Sequence, residues 1–531
     1  MTAAVFLGIL TLYLGTLYPS IAPRDSADMA AAALTLTAAH PPGYPLYAIL
    51  GRAWLEIFPF GDPSYRLNLL SALAGAGAAA ALFALVRRRA GVLGGLAAAA
   101  VFALSAPLWK FSLLSEKYSL HALFAAALLL LAEGTRQHIF ARARLTGLLL
   151  GLGLVNHQTL IFWLPGVLWL WRREASRQEV STSRLAAAAS PGLGAGLALN
   201  MFLWIRLGGL RPAWDTMIRA RYGSAVLFAG MAEPLTLDSA FALLCHAARG
   251  LADAVSWPAA AAALVGAALV WREDRSRAAG WLLCAACAGP LFILLSRFDP
   301  SNWVARSVLE PAFLLPSLVA AAFAGAAVGV LSRRCLPAGA LAAAGLAATA
   351  LVLRAPLPDH RDDFLAYDYA LDLRRAVPPG GALLANGDTA SFALRWLDLV
   401  RPEARARQVA PAGLSDARSW LAAGAGRADL FTTGIGPAAL LSAGLPSTAR
   451  PLSPEGLVQH VGARPPTDPP LSVLRRPRAW DRDESYARDA KLSYAFAAWA
   501  AARLLEAQGR RPPQSLDLTA VSLDGEDYQL E

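Results

Sequence analysis

The sequence predicts a polytopic α-helical membrane protein with about eleven transmembrane helices and a C-terminal soluble α/β domain. Of the 531 residues, 56% are hydrophobic and only 16% are charged. Residues 1–353 contain repeated apolar runs of about 17 to 25 residues, each long enough to cross a bilayer. The first run lacks the basic segment and cleavage site of a signal peptide, so we expect it to remain as the first helix.

Arginine clusters between the apolar runs determine the predicted topology. They are Arg87–Arg89, 136–144, 172–184, 272–277 and 333–334, and the positive-inside rule places all of them in the cytoplasm. A chain that starts inside satisfies this rule with spans near 3–20, 66–86, 91–108, 118–133, 145–156, 158–171, 185–205, 257–271, 279–296, 308–331 and 336–353. The run 145–171 must then be two short spans divided at Asn156-His157-Gln158. An odd number of spans places the chain after residue 353 outside the cytoplasm.

Residues 354–531 have a different character from the transmembrane domain, 1–353. Short apolar segments at 381–386, 408–410 and 429–431 alternate with helical stretches near 389–400, 415–423 and 436–443. This alternation predicts an external, periplasmic α/β domain over residues 354–480. Residues 481–531 are expected to form a C-terminal helix, over 486–508, and a polar tail.

Composition excludes several classes of function. The net charge is +10, but the arginines lie in separate loops rather than on one face, so they indicate topology and not nucleic-acid binding. Cys284 and Cys287 form a CxxC in an apolar span without a nearby His, which favours packing over a metal site. No carboxylate cluster has clear metal-ligand spacing, so we predict neither a metal nor another cofactor.

The predicted topology gathers unusual polar residues on the external side of the membrane. Asp25, Asp28, His40 and Tyr44 lie in the first external loop. The later loops contribute Lys110, Glu116, Lys117, Tyr118 and His121, then Asn156, His157 and Gln158, then Arg211 and Asp215, and finally Arg297, Asp299 and Arg306. Ionisable groups near hydrocarbon are costly to keep, so we expect this face to carry a functional site.

This combination of acids and cations suits transfer of a sugar from a lipid-linked phosphate to a hydroxyl group. The phosphate leaves as an anion without protonation, so the reaction needs one base for the acceptor hydroxyl. It also needs cations that stabilise the leaving phosphate. A single carboxylate that acts as base in one step implies inversion at the anomeric carbon.

A group of motifs extends from the first loop into the C-terminal part. They are Asp25-Ser26-Ala27-Asp28, Ala39-His40-Pro41-Pro42-Gly43-Tyr44-Pro45-Leu46-Tyr47, Tyr65-Arg66-Leu67-Asn68-Leu69-Leu70-Ser71-Ala72, Glu116-Lys117-Tyr118-Ser119-Leu120-His121, Asn156-His157 within 151–164, and Asn386-Gly387-Asp388. Together they resemble the transmembrane O-mannosyltransferase-like family of GT-C glycosyltransferases, which is related to protein O-mannosyltransferases. The resemblance is strong over residues 1–170 and weaker as far as residue 390.

The resemblance implies a GT-C-like fold, a polyprenyl-phosphate donor that often carries mannose, and an external protein or glycan acceptor. It places the catalytic carboxylate in the first loop. The family pattern there is Asp-x-Gly-Glu, whereas this chain has Asp25-Ser26-Ala27-Asp28, with Ala in place of Gly and Asp in place of Glu. We therefore predict Asp25 as the base, with Asp28 beside it. The predicted substrate-binding residues are His40, Tyr44, Glu116, Tyr118, His121, Asn156, His157, Arg297 and Arg306.

Each predicted role has a structural alternative. Asp25 is also suited to cap the following helix, and Asp28 would then share a helix face with it. His40 precedes a proline that holds it extended. The tyrosines suit a membrane interface. The side chains of Lys110 and Lys117 could instead extend to the membrane interface. Arg297 and Arg306 could be ordinary loop charges.

Two other classes of protein share many of these features. A lipid flippase or transporter would also have many spans and intramembrane polar residues, but such proteins tend to have repeated halves, which are absent from this sequence. A non-catalytic membrane scaffold would leave the acidic pair unexplained. The high content of Ala, Leu and Arg is typical of a GC-rich bacterial genome, so we expect a multi-pass protein of the bacterial inner membrane with a cytoplasmic N-terminus.

Overall fold

The structure, a computed structural model, describes residues 1–134, 138–220, 223, 232–354, 358–378, 380–385, 387–401, 408–409, 429–433, 452–455 and 457–461, with positions 490, 493, 494, 497, 506 and 509. The chain divides into two units. The first unit is Met1–Leu17 with Ala32–Arg361, and the second is Tyr18–Ala31 with the described part of Asp362–Glu531. The helices predicted near 415–423 and 436–443, most of the 486–508 helix and the tail lie outside the described residues.

Helices make up the first unit in the part of the chain that the structure describes. They are α1 (Thr2–Leu14), α2 (Ser26–Thr35, which begins in the second unit), α3 (Pro45–Ile57), α4 (Pro63–Ala103), α5 (Ala106–Ser112), α6 (Tyr118–Ala132), α7 (Ile139–Asn156), α8 (Leu164–Arg177), α9 (Thr182–Leu197), α10 (Met201–Leu207), α11 (Leu210–Met217), α12 (Leu237–Val255), α13 (Trp257–Glu273), α14 (Arg275–Ala286), α15 (Phe292–Ser296), α16 (Trp303–Leu309), α17 (Leu314–Arg334) and α18 (Leu336–Leu353). Short 3₁₀ segments occur at Gln158–Trp163, Ala198–Asn200 and Glu310–Phe313, and a π segment at Cys287–Leu291.

Many of these helices are suited to a bilayer. Among the described residues, 6 helices are long and apolar enough to cross a membrane, or 7 if α12 and α13, which are bent by 106° to each other, form one span. The protein is therefore a multi-pass membrane protein, while the eleven crossings stay a prediction. The break predicted at Asn156-His157-Gln158 coincides with the end of α7, where His157 is extended before the 3₁₀ segment.

Small residues allow the helices of this unit to approach closely. A Cβ atom added at Gly147 would lie 1.9 Å from the carbonyl oxygen of Ala189, so the backbones of α7 and α9 touch. At Gly325 it would lie 2.4 Å from the carbonyl oxygen of Gly94, which brings α17 against α4 in the same way. Backbone contact at Gly and Ala is the usual means by which helices associate in a membrane, where burial of apolar surface adds little.

The helix α4 folds back on itself at Gly91. This residue has φ 73° and ψ −177°, a conformation that only glycine adopts readily. A Cβ atom on Gly95 would lie 2.9 Å from Phe83 Cδ2 and 2.9 Å from Arg87 Cβ, whereas residues twelve positions apart on a straight helix are about 18 Å apart. The two arms correspond to the segments predicted at 66–86 and 91–108.

Replacing Gly91 with Ala is expected to destabilise the protein by roughly 1–3 kcal/mol, the cost of forcing a side chain into this backbone conformation. A Cβ at Gly91 meets nothing within 4 Å, so the effect comes from the backbone alone. Gly345, inside α18, has equally open space but no positive φ. The control Gly345→Ala is therefore expected to be neutral or stabilising by up to about 1 kcal/mol. Thermal unfolding in detergent compares the two, and equal Tm values for both variants would refute the strained turn.

The second unit contains a five-stranded sheet in the order β2-β1-β3-β5-β4. Its strands are β1 (Ala382–Leu384), β2 (Gln408–Val409), β3 (Leu430–Thr432), β4 (Leu452–Glu455) and β5 (Val458–Val461). The strand β1 is parallel to β2 and β3, while β5 is antiparallel to β3 and β4. Helices α19 (Leu365–Ala376) and α20 (Asp388–Val400) accompany the sheet. The apolar segments predicted at 381–386, 408–410 and 429–431 fall at β1, β2 and β3.

Candidate active site

The loop between α5 and α6 lies buried in the first unit and positions Glu116 and Lys117. Hydrogen bonds from α4 hold this loop in place. Ser115 Oγ donates to Asn68 Oδ1 at 2.9 Å, and the backbone N–H of Glu116 donates to Ser71 Oγ at 3.4 Å. The motif at 65–72 therefore acts as the support of the motif at 116–121.

Lys117 is fully buried and ion-paired. Its Nζ lies 2.9 Å from Glu116 Oε2, and both side chains are 0% exposed. The ammonium also lies 4.9 Å from the ring centre of Tyr44 and 4.5 Å from that of Tyr118, distances at which aromatic rings attract a cation. The alternative that Lys117 reaches the membrane interface is therefore wrong. A buried ammonium keeps three donors, so it is suited to bind an anion.

A hydrogen bond from α7 orients the same loop. Asn156, also fully buried, donates from Nδ2 to the carbonyl oxygen of Lys117 at 3.1 Å. That carbonyl also accepts the backbone N–H of His121 at 3.0 Å and so begins α6. The predicted Asn-His element thus fixes the position of Lys117 through its Asn, while its His faces the rings described next.

Aromatic and imidazole rings surround the lysine. The ring of His157 lies 6.0 Å from Tyr44, 5.2 Å from Tyr118 and 5.0 Å from His121, centre to centre. His40 meets Tyr44 edge-on at 5.1 Å. We call the group His40, Tyr44, Glu116, Lys117, Tyr118, His121, Asn156 and His157 the Lys117 cluster; it brings together seven of the predicted substrate-binding residues.

Two histidines of the Lys117 cluster, His121 and His157, share one hydroxyl group. Thr159 Oγ1 lies 2.5 Å from His157 Nδ1 and 3.4 Å from His121 Nε2. Removal from water lowers the pKa of His157 well below its usual range, and nearby His121 and Lys117 add to this shift. A neutral His157 can donate through one ring nitrogen and accept through the other, so it leaves the positive charge of the cluster on Lys117.

The turn before α3 places Tyr44 against the lysine. Gly43, with φ +96°, donates its backbone N–H to the carbonyl oxygen of His40 at 2.8 Å. Tyr44 follows in the left-handed region, with φ 45° and ψ 56°, and Pro45 begins α3. A Cβ on Gly43 would lie 2.6 Å from Leu203 Cδ2, so this position requires glycine for both space and conformation.

The first unit also contains an open cavity lined in part by residues next in sequence to members of the cluster. It has an empty volume of about 470 Å³, and its lining includes Pro42, Pro45, Val155 and Gln158. These residues are neighbours in sequence of Tyr44 and His157. Further lining by Leu154, Leu197 and Met217 makes its wall largely apolar.

The first-loop acids belong to the second unit and differ in their surroundings. Asp25 is partly exposed, and its carbonyl oxygen accepts the backbone N–H of Met29 at 2.8 Å, so it occupies the N-terminal cap position of α2. Asp28 is 1% exposed and pairs with Arg395 of α20, Nη1 to Oδ1 at 3.0 Å. Asp28 is thus held by an ion pair, whereas Asp25 is the more accessible carboxylate.

Replacing Arg395 with Gln is expected to destabilise the protein by roughly 1–3 kcal/mol, because it removes a charged partner from a buried carboxylate. The double variant Asp28→Asn with Arg395→Gln should recover part of that loss, since no buried charge then remains at this pair. Thermal unfolding measures both. Arg375→Gln is the matched control, because Arg375 is 68% exposed and, among the residues that the structure describes, pairs within its own helix with Asp372. We expect this change to alter the free energy of unfolding by less than about 0.5 kcal/mol. Equal losses for Arg375→Gln and Arg395→Gln would argue against the pair.

Two predicted residues have their described contacts elsewhere. Arg297 donates from Nε to the carbonyl oxygen of Glu233 at 2.9 Å, and Arg306 lies exposed on α16. Their predicted phosphate contacts stay predictions. Sequence reasoning placed Lys117 among the polar residues of the external face but did not name it as a substrate-binding residue. It missed Arg395, for which the sequence carried no signal. In the part of the chain that the structure describes, no three His, Cys, Asp or Glu side chains are grouped to hold a metal ion.

The fold and the helices define a mostly helical, multi-pass membrane protein. Over 83% of this chain and 94% of the other, the structure is similar to the crystal structure of ArnT from Cupriavidus metallidurans bound to undecaprenyl phosphate, with a TM-score of 0.52 and 13% sequence identity. At this identity the similarity concerns the fold alone. The mostly helical part of the predicted fold class is confirmed, and the fold is similar to that of ArnT.

The family resemblance is confirmed by comparison of sequences. Residues 25–181 match the sequence model of the Protein O-mannosyl-transferase TMEM260 N-terminal domain. The Protein O-mannosyl-transferase TMEM260 of Mus musculus is 29% identical over 426 residues, which cover 75% of this chain and 60% of the mouse protein. The Protein O-mannosyl-transferase tmem260 of Dictyostelium discoideum is 25% identical over 255 residues, covering 43% of this chain and 31% of that protein. The chain thus spans less than two thirds of the length of these curated relatives.

Proposed function

We propose that this chain is a membrane glycosyltransferase that moves mannose from a polyprenyl-phosphate donor to a hydroxyl group of an external protein or glycan acceptor, with inversion. The acceptor oxygen attacks the anomeric carbon and gives its proton to Asp25. The bond between that carbon and the phosphate oxygen breaks, and the polyprenyl phosphate leaves with the bonding electrons. We place the protein in a bacterial inner membrane, with the second unit on the periplasmic side.

The single observation that carries this proposal is the buried ammonium of Lys117. A buried cation is costly to maintain even when it is paired, as Lys117 is with Glu116, and ionisable groups at membrane depth are typical of functional sites. Here two tyrosines and neutral His157 surround the ammonium without adding a second positive charge. The leaving phosphate gains negative charge as the glycosidic bond breaks, so a fixed cation stabilises the transition state more than the ground state. Glu116 holds the ammonium before the donor arrives.

Two further features agree with a lipid-linked donor. The largely apolar cavity that Pro42, Pro45 and Gln158 line in part suits the first isoprene units of a polyprenyl chain. ArnT, whose structure is similar to this one, was crystallised with undecaprenyl phosphate. The mouse relative is named a protein O-mannosyl-transferase. A non-catalytic scaffold has no comparable need for a buried cation together with an accessible carboxylate.

The proposal is tested by supplying purified protein with synthetic polyprenyl-phosphate-[³H]mannose and a crude periplasmic protein acceptor. We expect label to enter the acceptor from this donor and not from GDP-[³H]mannose, since the site is built for a lipid phosphate. Membranes without the protein provide the background. Absence of transfer above that background, or transfer from GDP-mannose alone, would contradict the proposed donor.

A further inference from the structure

A second cavity in the first unit lies among helix ends that carry arginine clusters. It opens to solvent and lies between the first arm of α4 and the helices α13, α14 and α17. Its charged lining consists of Arg89, Glu133, Glu273, Arg277 and Arg333. Because these residues belong to or adjoin the clusters that the positive-inside rule assigns to the cytoplasm, this cavity is expected at the cytoplasmic side.

Acidic residues neutralise one of the three arginines. Arg277 is 3% exposed, with its Nε 3.1 Å from Glu133 Oε2 and its Nη2 3.3 Å from Asp274 Oδ2. Glu133 also accepts the indole N–H of Trp281 at 2.5 Å. Within the described part of the chain, neither Nε nor Nη2 of Arg277 has a hydrogen bond of good geometry. Arg277 therefore contributes a buried guanidinium whose donors are only partly used.

The other two arginines lie together at the rim. Arg333 Nη1 donates to the carbonyl oxygen of Arg89 at 2.9 Å, which joins the end of α17 to the turn of α4. The described residues provide no ion pair for the side chain of Arg89 or Arg333. Glu273 is exposed on the same rim, so the lining holds three arginines against two glutamates, and the local charge is positive.

We propose that this cavity binds the phosphate of an anionic phospholipid headgroup from the cytoplasmic leaflet. Guanidinium groups bind phosphate oxygens in pairs and in fixed geometry. Leu85, Val86 and Val330 line the same cavity, so a ligand with a charged head and an apolar tail fits better than a wholly polar one. Basic pockets between membrane helices on this side are typical headgroup sites. The inference does not depend on the proposed transferase activity.

The test measures stabilisation by lipid. The full chain is placed in nanodiscs of phosphatidylcholine with increasing phosphatidylglycerol, and Tm is followed for the wild type and the double variant Arg89→Gln with Arg333→Gln. The control, Arg275→Gln with Arg334→Gln, removes two exposed arginines from the same helix ends without touching the cavity lining. Inorganic phosphate added to discs of pure phosphatidylcholine distinguishes a free anion from a lipid.

We expect phosphatidylglycerol to raise the Tm of the wild type and of the control. The cavity double variant loses charge-assisted hydrogen bonds to the lipid phosphate, so half of its Tm increase should require about tenfold more phosphatidylglycerol, or the increase should not saturate. Equal lipid dependence in all three proteins would show a general surface-charge effect and overturn the proposal. Stabilisation by inorganic phosphate but not by phosphatidylglycerol would overturn the lipid as the ligand.

Discussion

Replacement of Asp25 by Asn is expected to lower sugar transfer by about 10²–10⁴-fold, the usual contribution of a general base, with little change in Tm. Asn is as good a helix cap as Asp, so the cap at the start of α2 survives while the base is lost. Asp25 is also the partly exposed acid of the first loop. Transfer from polyprenyl-phosphate-[³H]mannose at matched protein concentration measures the effect.

Comparison with Asp25→Ala and Asp28→Asn separates the two acids. Asp25→Ala loses both cap and base, so its Tm should fall by the equivalent of about 1 kcal/mol relative to Asp25→Asn, with similarly low transfer. Asp28→Asn is expected to act chiefly on stability, because Asp28 is buried against Arg395. If Asp25→Asn transfers mannose at the wild-type rate, Asp25 is not the base. If only Asp28→Asn loses transfer at unchanged Tm, the roles are reversed.

Replacement of Lys117 by Met is expected to lower transfer by about 10²–10³-fold, the usual effect of removing one group that stabilises charge in a transition state. Met keeps the length of the side chain and removes its charge. The single variant also removes the ammonium that pairs with the buried carboxylate of Glu116, and breaking a buried ion pair in this way costs about 3–5 kcal/mol. Lost activity alone would therefore not distinguish chemistry from misfolding.

The double variant Lys117→Met with Glu116→Gln resolves this ambiguity. Removing both charges should restore most of the lost stability, while transfer stays low because no cation remains to meet the phosphate. Lys110→Met is a second comparison, since Lys110 pairs with Glu310 at 3.1 Å but is only partly buried; we expect a much smaller loss of transfer. Recovery of both Tm and transfer in the double variant would show that Lys117 serves the fold and not the reaction.

Motif spacing anticipated much of the candidate site, but not the role of each member. Asn68 and Ser71 support the loop of Glu116, and Asn156 fixes the backbone of Lys117. The sequence therefore indicated motifs that contact one another in the structure. It did not indicate that three motifs converge on one ammonium, because whether a lysine is buried depends on helices that are distant in sequence.

The second unit shows the same limit more sharply. Asp28 and Arg395 are separated by 367 positions, and no local pattern around Arg395 distinguishes it from other arginines on an amphipathic helix. The grouping of Tyr18–Ala31 with the later chain is equally invisible in local composition. The boundary predicted at residue 353 marks the end of the apolar segments. The division into two units instead reflects which residues contact one another, so it assigns Tyr18–Ala31 to the second unit.

The sequence by itself determined that this is a multi-pass membrane protein and which family it resembles, because the bilayer imposes length and apolarity on each segment and arginines mark its loops. From the sequence, the turn in α4 could be placed only within the loop between the apolar runs 66–86 and 91–108. Tertiary structure decided that Gly91 makes that turn, that Lys117 is buried against Glu116, and that Arg395 pairs with Asp28. Hydropathy is a property of neighbouring residues, whereas burial and charge pairing arise only when distant helices pack together.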